Sequence, residues 1–334
     1  MHLLITGHTG FKGSWLAVLA KELGYQVSGL SLEPVAGGAF ETADLMSLFE
    51  HNVICDIRDK SGVEAAVKGI RPDAIIHMAA QPLVIEGYRD PVGTFETNVD
   101  GTRNLLEAAA KTDSVKTVLV VTTDKVYRDT GSGNYSEVDA LGGFDPYSAS
   151  KAMADILSQS YGNLGLNFSI GVARAGNVIG RGDVSTDRLL PDILRSFLEK
   201  RTLEIRFPEA VRPWQHVLDC VNGYMMTLDY LMSQKSIEAG TLVLNFGPLP
   251  NGYKSVAEVL QEAKSILGGF VVEVQEQKVK ETSFLTLDSS KARELLGWKD
   301  RLGFGEAVNW SLRNATLTLS LSEMQQDVQD FLRI

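Results

Sequence analysis

The stretch "LLITGHTGFKG", residues 3–13, decides the fold. A strand-type run, "LLIT" (3–6), feeds three glycines spaced G-x-x-G-x-x-G: Gly7, Gly10 and Gly13. A helical pattern over 11–23 opens on the last of them. Glycines so placed permit a tight turn, close approach of backbone to a pyrophosphate, and close helix–strand packing. The helix N-terminus then faces the phosphates. Gly7, Gly10 and Gly13, with Thr9 and Phe11 between them, are therefore the candidate phosphate-binding loop.

Working outward, apolar runs alternate with helical patterns. Strands are expected at 26–32, 53–55, 74–78, 117–122, 169–173 and 242–247, and helices near 59–69, 91–111, 147–163, 255–267 and 288–297. Alternation of this kind predicts an α/β fold: a Rossmann-type, doubly wound parallel sheet with helices on both faces. The rhythm changes after about residue 175. Residues 1–175, with about 212–247, are expected to form the dinucleotide-binding domain. Residues 176–211 and 248–334 are expected to form a smaller C-terminal α/β substrate lobe. Glu33 lies twenty residues past Gly13, at the end of the second strand. An acid there accepts from an adenosine ribose and repels a 2′-phosphate, so NAD is expected over NADP. Asp56 and Ile57 follow the third strand and could flank an adenine. Ala79, Ala80 and Gln81 follow the fourth, where small residues let a cofactor lie close.

Composition narrows the field. The chain of 334 residues is 44% hydrophobic and 22% charged, with a formal charge of −10. That charge argues against nucleic acid and against an anionic membrane surface. No apolar run reaches the length of a membrane span. Met1 leads straight into the first strand, so no leader is expected. Two cysteines, Cys55 and Cys220, give no disulfide framework, and a cytoplasmic home is expected. No metal site is expected.

Two further stretches carry chemistry. "YSASK" sets Tyr147 and Lys151 four apart, on one helix face. A phenol with pKa near ~10 is a poor base at neutral pH, but a neighbouring ammonium and a cationic nicotinamide ring favour the phenolate. "VTTDKVY" (121–127) ends a buried strand in Thr123, Asp124 and Lys125. Ligands in open α/β sheets sit just outside such strand ends.

These residues resemble the extended short-chain dehydrogenase/reductases, the NAD-dependent epimerase/dehydratase family, whose hallmarks are the T-G-x-x-G-x-x-G loop and the Y-x-x-x-K pair. "GHTGFKGSWL" (7–16), "HMAAQPLV" (77–84), "TTDKVY" (122–127), "DPYSASK" (145–151), "RAGNVIG" (174–180), "DRLLPDILRSF" (187–197) and "RPWQHVLD" (212–219) are together similar to its sugar-nucleotide 4,6-dehydratases of the CDP-glucose type. Residues 128–143 and 160–167 depart from that pattern. The resemblance implies NAD as a regenerated cofactor and CDP-glucose as the substrate, converted to CDP-4-dehydro-6-deoxyglucose. It implies catalytic roles for Thr123, Asp124, Lys125, Tyr147 and Lys151, and adds Asn98 to the cofactor-binding residues. His8, Asn177, Arg188, Arg212 and His216 are its substrate-side candidates. A homodimer is implied through "DGTRNLLEAAAK" and "YSASKAMADILSQSYG", with Leu105, Leu106, Ala109, Ala149, Met153, Ile156 and Leu157 facing the partner. The rival within the family is a sugar-nucleotide epimerase, which has no use for the Asp124–Lys125 pair. The rival outside it is a silent NAD-binding regulatory protein, against which the intact Tyr147, Lys151, Asp124 and Lys125 argue.

Overall fold

Strands β1 (His2–Thr6), β2 (Gln26–Ser31), β3 (Phe49–Ile54), β4 (Ala74–His77), β5 (Thr117–Thr123), β6 (Ser169–Ala175) and β7 (Thr241–Phe246) form one parallel sheet in the order β7-β6-β5-β4-β1-β2-β3. The computed structural model describes residues 1–131, 133–186, 188–234, 240–275 and 286–334. Ser132 and Asp187, which fall in two of the stretches quoted above, lie outside the described residues.

Successive side chains in a strand point to opposite faces. Leu3 and Ile5 of β1, with Leu119 and Val121 of β5, join a core that includes Trp15 and Leu19 of helix α1 (Phe11–Glu22). Leu4, Val118 and Val120 join the core on the other side, built on helices α2 (Lys60–Ile70) and α3 (Gly101–Ala110). Both faces are covered, so the strands read as unbroken apolar runs. All seven residues of β5 are buried. The remaining principal helices are α4 (Pro146–Tyr161), α5 (Leu189–Glu199), α6 (Val217–Ser233), α7 (Val256–Leu267), α8 (Ser290–Leu296), α9 (Phe304–Leu312) and α10 (Leu321–Arg333).

The chain builds outward from β1 through β2 to β3, then crosses back and builds β4 to β7 on the other side. The crevice between β1 and β4 is the switch point at which such sheets bind dinucleotides. Beyond the sheet, Val211–Pro213 pairs antiparallel with Tyr253–Ser255, and Leu203–Ile205 pairs parallel with Val272–Val274. Pro213 reaches back over the end of β5: a Cβ on Gly176 would meet Pro213 Cγ at 2.6 Å and Asp124 Oδ2 at 3.1 Å.

Several elements differ from expectation. β3 begins at Phe49 rather than 53, because it is an edge strand whose residues are all at least partly exposed and whose residues 50–52 are polar. The span 91–111 is continuously helical from Pro91 to Ala110, as expected, but it is not α-helical throughout. It holds a short helix (Pro91–Phe95), a π turn (Glu96–Asp100) and α3. Leu105, Leu106 and Ala109 of α3 are buried against the sheet and face no partner. Helix α6 was not anticipated: 12 of its 17 residues are buried, so no polar face betrays a helical period. The last helix, α10, packs against α1.

Candidate active site

The glycine loop follows from sterics. Gly7 has φ +75°, and a Cβ there would stand 2.8 Å from Ala79 N. A Cβ on Gly13 would stand 2.1 Å from Gly7 O. β1, β4 and α1 therefore meet at this distance only with glycine. Gly10 heads α1, and no side chain caps it. The first N–H groups of that helix are left for an anion. These cradles, which a Cβ would fill, fit a dinucleotide pyrophosphate. Thr9 braces the loop, donating to Leu32 O at 3.0 Å and pairing with Ser31 Oγ at 2.8 Å. Phe11 lies against Gly180.

At the adenosine end, Glu33 is exposed just past β2. The Asp56 carboxylate is gripped by Arg58, with Nη2 to Oδ2 at 2.6 Å, which holds its pKa below the usual range. Ile57 is buried under Gly101. At the other end, Ala79 N donates to Thr6 Oγ1 at 3.1 Å. Ala80 and Gln81 are half-buried along the same loop.

Three candidates need correction. Asn98 is almost fully buried on the π turn. Its Oδ1 accepts from Gln81 N at 2.8 Å, and its Nδ2 donates to Gln81 O at 3.1 Å and Ser150 Oγ at 2.9 Å. Both amide protons are engaged, so Asn98 braces the Gln81 loop against α4 and has no donor left for a cofactor. His8 is wholly buried away from the cleft, between Phe40 and Phe49, with Nε2 2.6 Å from Asn52 Oδ1. Gly29 makes room for it: a Cβ there would stand 2.4 Å from the imidazole. His216 is equally buried, beside Trp15 and Trp310, and its Nδ1 accepts from Leu218 N at 3.3 Å to cap α6. Burial first, then Arg313 and Arg181, pushes its pKa down to about 3.

The catalytic candidates do converge. Asp145 caps α4, accepting from Ser148 N at 3.0 Å, so Tyr147 stands in the first turn and Lys151 one turn on. Gly87 lets the neighbouring segment approach: a Cβ there would meet Tyr147 N at 3.0 Å. Lys151 Nζ donates to Val121 O of β5 at 2.7 Å. Burial, then the charge of Lys12, brings the Lys151 pKa down to about 8, and Asp155 opposes the fall. The Tyr147 phenol is pushed up to about 12, chiefly by burial. A hydrogen bond with Thr123 and the charge of Arg188 oppose this. Thr123 Oγ1 donates to Asp124 Oδ1 at 2.9 Å. Asp124 is buried, which raises its pKa, while Lys125, Thr123, Arg212 and Lys12 oppose the rise. Lys125 is half-exposed on the 3₁₀ turn Asp124–Val126.

On the substrate side, Arg212 donates to Val211 O at 2.9 Å and Arg188 to Asp183 Oδ2 at 3.0 Å. Both guanidinium charges bear on the candidate catalytic groups, Arg212 on Asp124 and Arg188 on Tyr147. Asn177 is half-buried nearby in sequence, its carbonyl accepting from Gln215 N at 3.3 Å. Sequence reasoning missed Lys12. Its Nζ donates to Tyr224 OH at 3.3 Å, and its charge bears on both Lys151 and Asp124. A signal existed: a cation in the first turn of a helix opposes the dipole, and broken local rules mark functional sites.

A dinucleotide crevice, a Tyr–Lys pair and a strand-end acid define an enzyme site of the NAD-linked type. The chain belongs to the NAD dependent epimerase/dehydratase family, whose model matches residues 3–240. Among its relatives, the CDP-glucose 4,6-dehydratase of Salmonella typhimurium is 39% identical over 92% of this chain and 89% of its own length. The UDP-glucose 4-epimerase of Halalkalibacterium halodurans is 26% identical over 90% of this chain and 91% of its own. Among solved structures, the dTDP-glucose 4,6-dehydratase of Streptomyces venezuelae, with NAD bound, superposes with TM-score 0.82 at 26% identity, covering 94% of this chain and 96% of that one. NAD is the cofactor of the family.

Proposed function

We propose that the protein is an NAD-dependent sugar-nucleotide 4,6-dehydratase that converts CDP-glucose to CDP-4-dehydro-6-deoxyglucose. The observation that carries this reading is the meeting, at the end of β5, of a buried acid of raised pKa (Asp124), an adjacent lysine (Lys125) and the Tyr147–Lys151 pair. Oxidation needs only the last two. Elimination needs an acid and a base besides. The 39% identity to the Salmonella enzyme supports cytidine as the base.

NAD, held in the crevice by the glycine loop, would supply the hydride acceptor for C4 and the donor for C6. Burial, above all, pushes the Tyr147 phenol up to about 12, so the positive charges of Lys151 and of a bound nicotinamide ring are needed to draw it toward the phenolate. That phenolate removes the O4 proton while Thr123 holds the oxygen. Lys151, fixed on Val121 O, supplies positive charge that favours the phenolate. The C4 ketone acidifies the C5 proton, which Lys125 removes. Asp124, whose pKa burial raises, donates to the departing C6 oxygen. Lys125 then returns its proton to C5. The balance closes, since the proton Tyr147 gains from O4 equals the one Asp124 loses to water.

Gly7, Gly10 and Gly13 hold the pyrophosphate of NAD, Glu33 its ribose, Asp56 its adenine, and the loop of Ala79–Gln81 its nicotinamide half. Arg212 and Arg188, with Asn177, hold the substrate diphosphate; a guanidinium fork suits that group. Residues 1–175 with 212–247 then serve the cofactor, and 176–211 with 248–334 the sugar nucleotide. Two copies pair through the open face of α4. Among the described residues no helix is long and apolar enough to cross a membrane, and a cytoplasmic location fits. The test is a competition among CDP-, dTDP-, GDP- and UDP-glucose and GDP-mannose, read by mass. Loss of water with the highest kcat/KM on CDP-glucose is expected. A higher kcat/KM on another sugar nucleotide overturns the cytidine assignment, and a product of unchanged mass overturns the dehydratase.

A further inference from the structure

One guanidinium links the two segments that carry the site. Arg174, at the end of β6, is fully buried. Its Nε and Nη2 grip Asp155 of α4 at 2.8 and 2.9 Å, a bidentate pair. Its Nη1 donates to Tyr127 OH at 2.9 Å and Glu137 O at 3.3 Å. The Tyr127 hydroxyl passes its own proton to Asn245 Oδ1 of β7 at 2.6 Å, so its oxygen is free to accept from Arg174. Tyr135 stacks on the Tyr127 ring at 5.1 Å. Thr122 Oγ1 adds a donor to Asp155 Oδ2 at 3.0 Å.

The placement of these partners gives the network its meaning. Asp155 stands on α4 one turn past Lys151 and two past Tyr147. Tyr127 stands two residues past Lys125, where the 3₁₀ turn ends. A buried ion pair is weak evidence of a stabilising role, because apolar residues of similar volume often serve stability as well. What apolar residues cannot do is fix two segments in one register through directed bonds.

We propose that Arg174 is a positioning residue. Through Asp155 and Tyr127 it holds the helix of Tyr147 and Lys151 in register with the turn of Asp124 and Lys125. The proposal rests on the dehydratase reading above. In that reaction one hexose ring must present C4 to the helix and C5–C6 to the turn at once. A misplacement of about 1 Å costs about 10²-fold in rate.

The links can be cut separately. Tyr127→Phe removes one hydroxyl and leaves the Asp155 pair intact. Asp155→Asn keeps the shape and weakens the helix link. Arg174→Lys keeps the charge and removes the fork. Each variant, with the parent, is mixed with CDP-glucose and NAD in a single turnover. Nicotinamide absorbance reads oxidation, and product mass reads elimination. Tyr127→Phe is expected to oxidise at the parent rate and eliminate about 10²-fold more slowly, so that reduced nicotinamide accumulates. Asp155→Asn is expected to slow oxidation first, and Arg174→Lys both steps. If Tyr127→Phe and Asp155→Asn each slow both steps by one common factor, Arg174 is merely structural and the proposal falls. A parent enzyme that forms no dehydrated product overturns the dehydratase reading instead.

Discussion

Asp124 and Lys125 share a peptide bond but not an environment. The acid is buried beneath Gly176 and Pro213, and the lysine is half-exposed. Burial favours the protonated form of the acid and sets the two neighbours apart, as an acid–base pair requires. Lys125→Ala should leave C4 oxidation, which depends on Tyr147, in place. Elimination should slow by roughly 10²–10⁴-fold, the usual scale for a lost general base. Rapid mixing would show reduced nicotinamide persisting; normal product formation in the first turnover would remove Lys125 from the mechanism. Glu33 permits a second test. Its exposed carboxylate at the end of β2 repels a 2′-phosphate, so calorimetry should give tighter binding of NAD than of NADP. Equal affinities would assign Glu33 to solvent alone. At this scale the sequence was legible where backbone geometry demands a residue type, as at Gly7 and Gly13. It misled for His8 and His216, because a polar residue inside a motif reads as functional until its packing is known. Both rings are buried among aromatic residues.

Among the elements, strands buried on two faces announced themselves, while edge strand β3 showed only its last residues and helix α6 nothing. Period carries the signal: β3 is too polar and α6 too evenly buried to show one. The π turn at Glu96–Asp100 could not be read either, since one extra residue per turn leaves the composition unchanged. Helix α6 also carries a buried acid with a consequence for stability. Asp219 accepts from Arg301 N at 2.7 Å and Leu302 N at 3.3 Å, tying the helix start to the loop before α9. Burial, aided by Asp300, pushes its pKa up to about 7. Unfolded, it would ionise near ~4. Its contribution to stability is therefore full below about pH 4 and declines as pH rises through about 7. Asp219→Asn cannot ionise, so its thermal midpoint should gain on the parent between about pH 5 and about pH 8. A gap that stays constant over that range would show that Asp219 is ionised in the fold.

At the scale of the whole molecule, an apolar strip is exposed on the α4 side, among several places where described residues leave apolar side chains in solvent. Met153 and Ile156 of α4 are 47% and 54% exposed, and Tyr88 and Val92 on the neighbouring short helices are exposed as well. The reading that two copies pair here predicts a dimer by light scattering at micromolar concentration. Charging the strip with Met153→Glu and Ile156→Glu should yield monomers with an unchanged circular dichroism spectrum. A parent already monomeric at that concentration would refute the pairing.

The order of the sheet also has a consequence for the nascent chain. β6 ends at Ala175, and its outer neighbour β7 is not complete until Phe246. At about 5–20 residues per second, the ribosome needs on the order of ten seconds to deliver that partner. Throughout this interval β6, which is almost wholly buried in the finished protein, stands as an open edge with unpaired backbone groups. The two arms of the sheet differ in this respect, since β1 to β3 are all made within the first 54 residues. The vulnerable moment in the life of the protein thus falls late in translation. A ribosome stalled between residues 176 and 240 would display an adhesive strand that only a chaperone could cover.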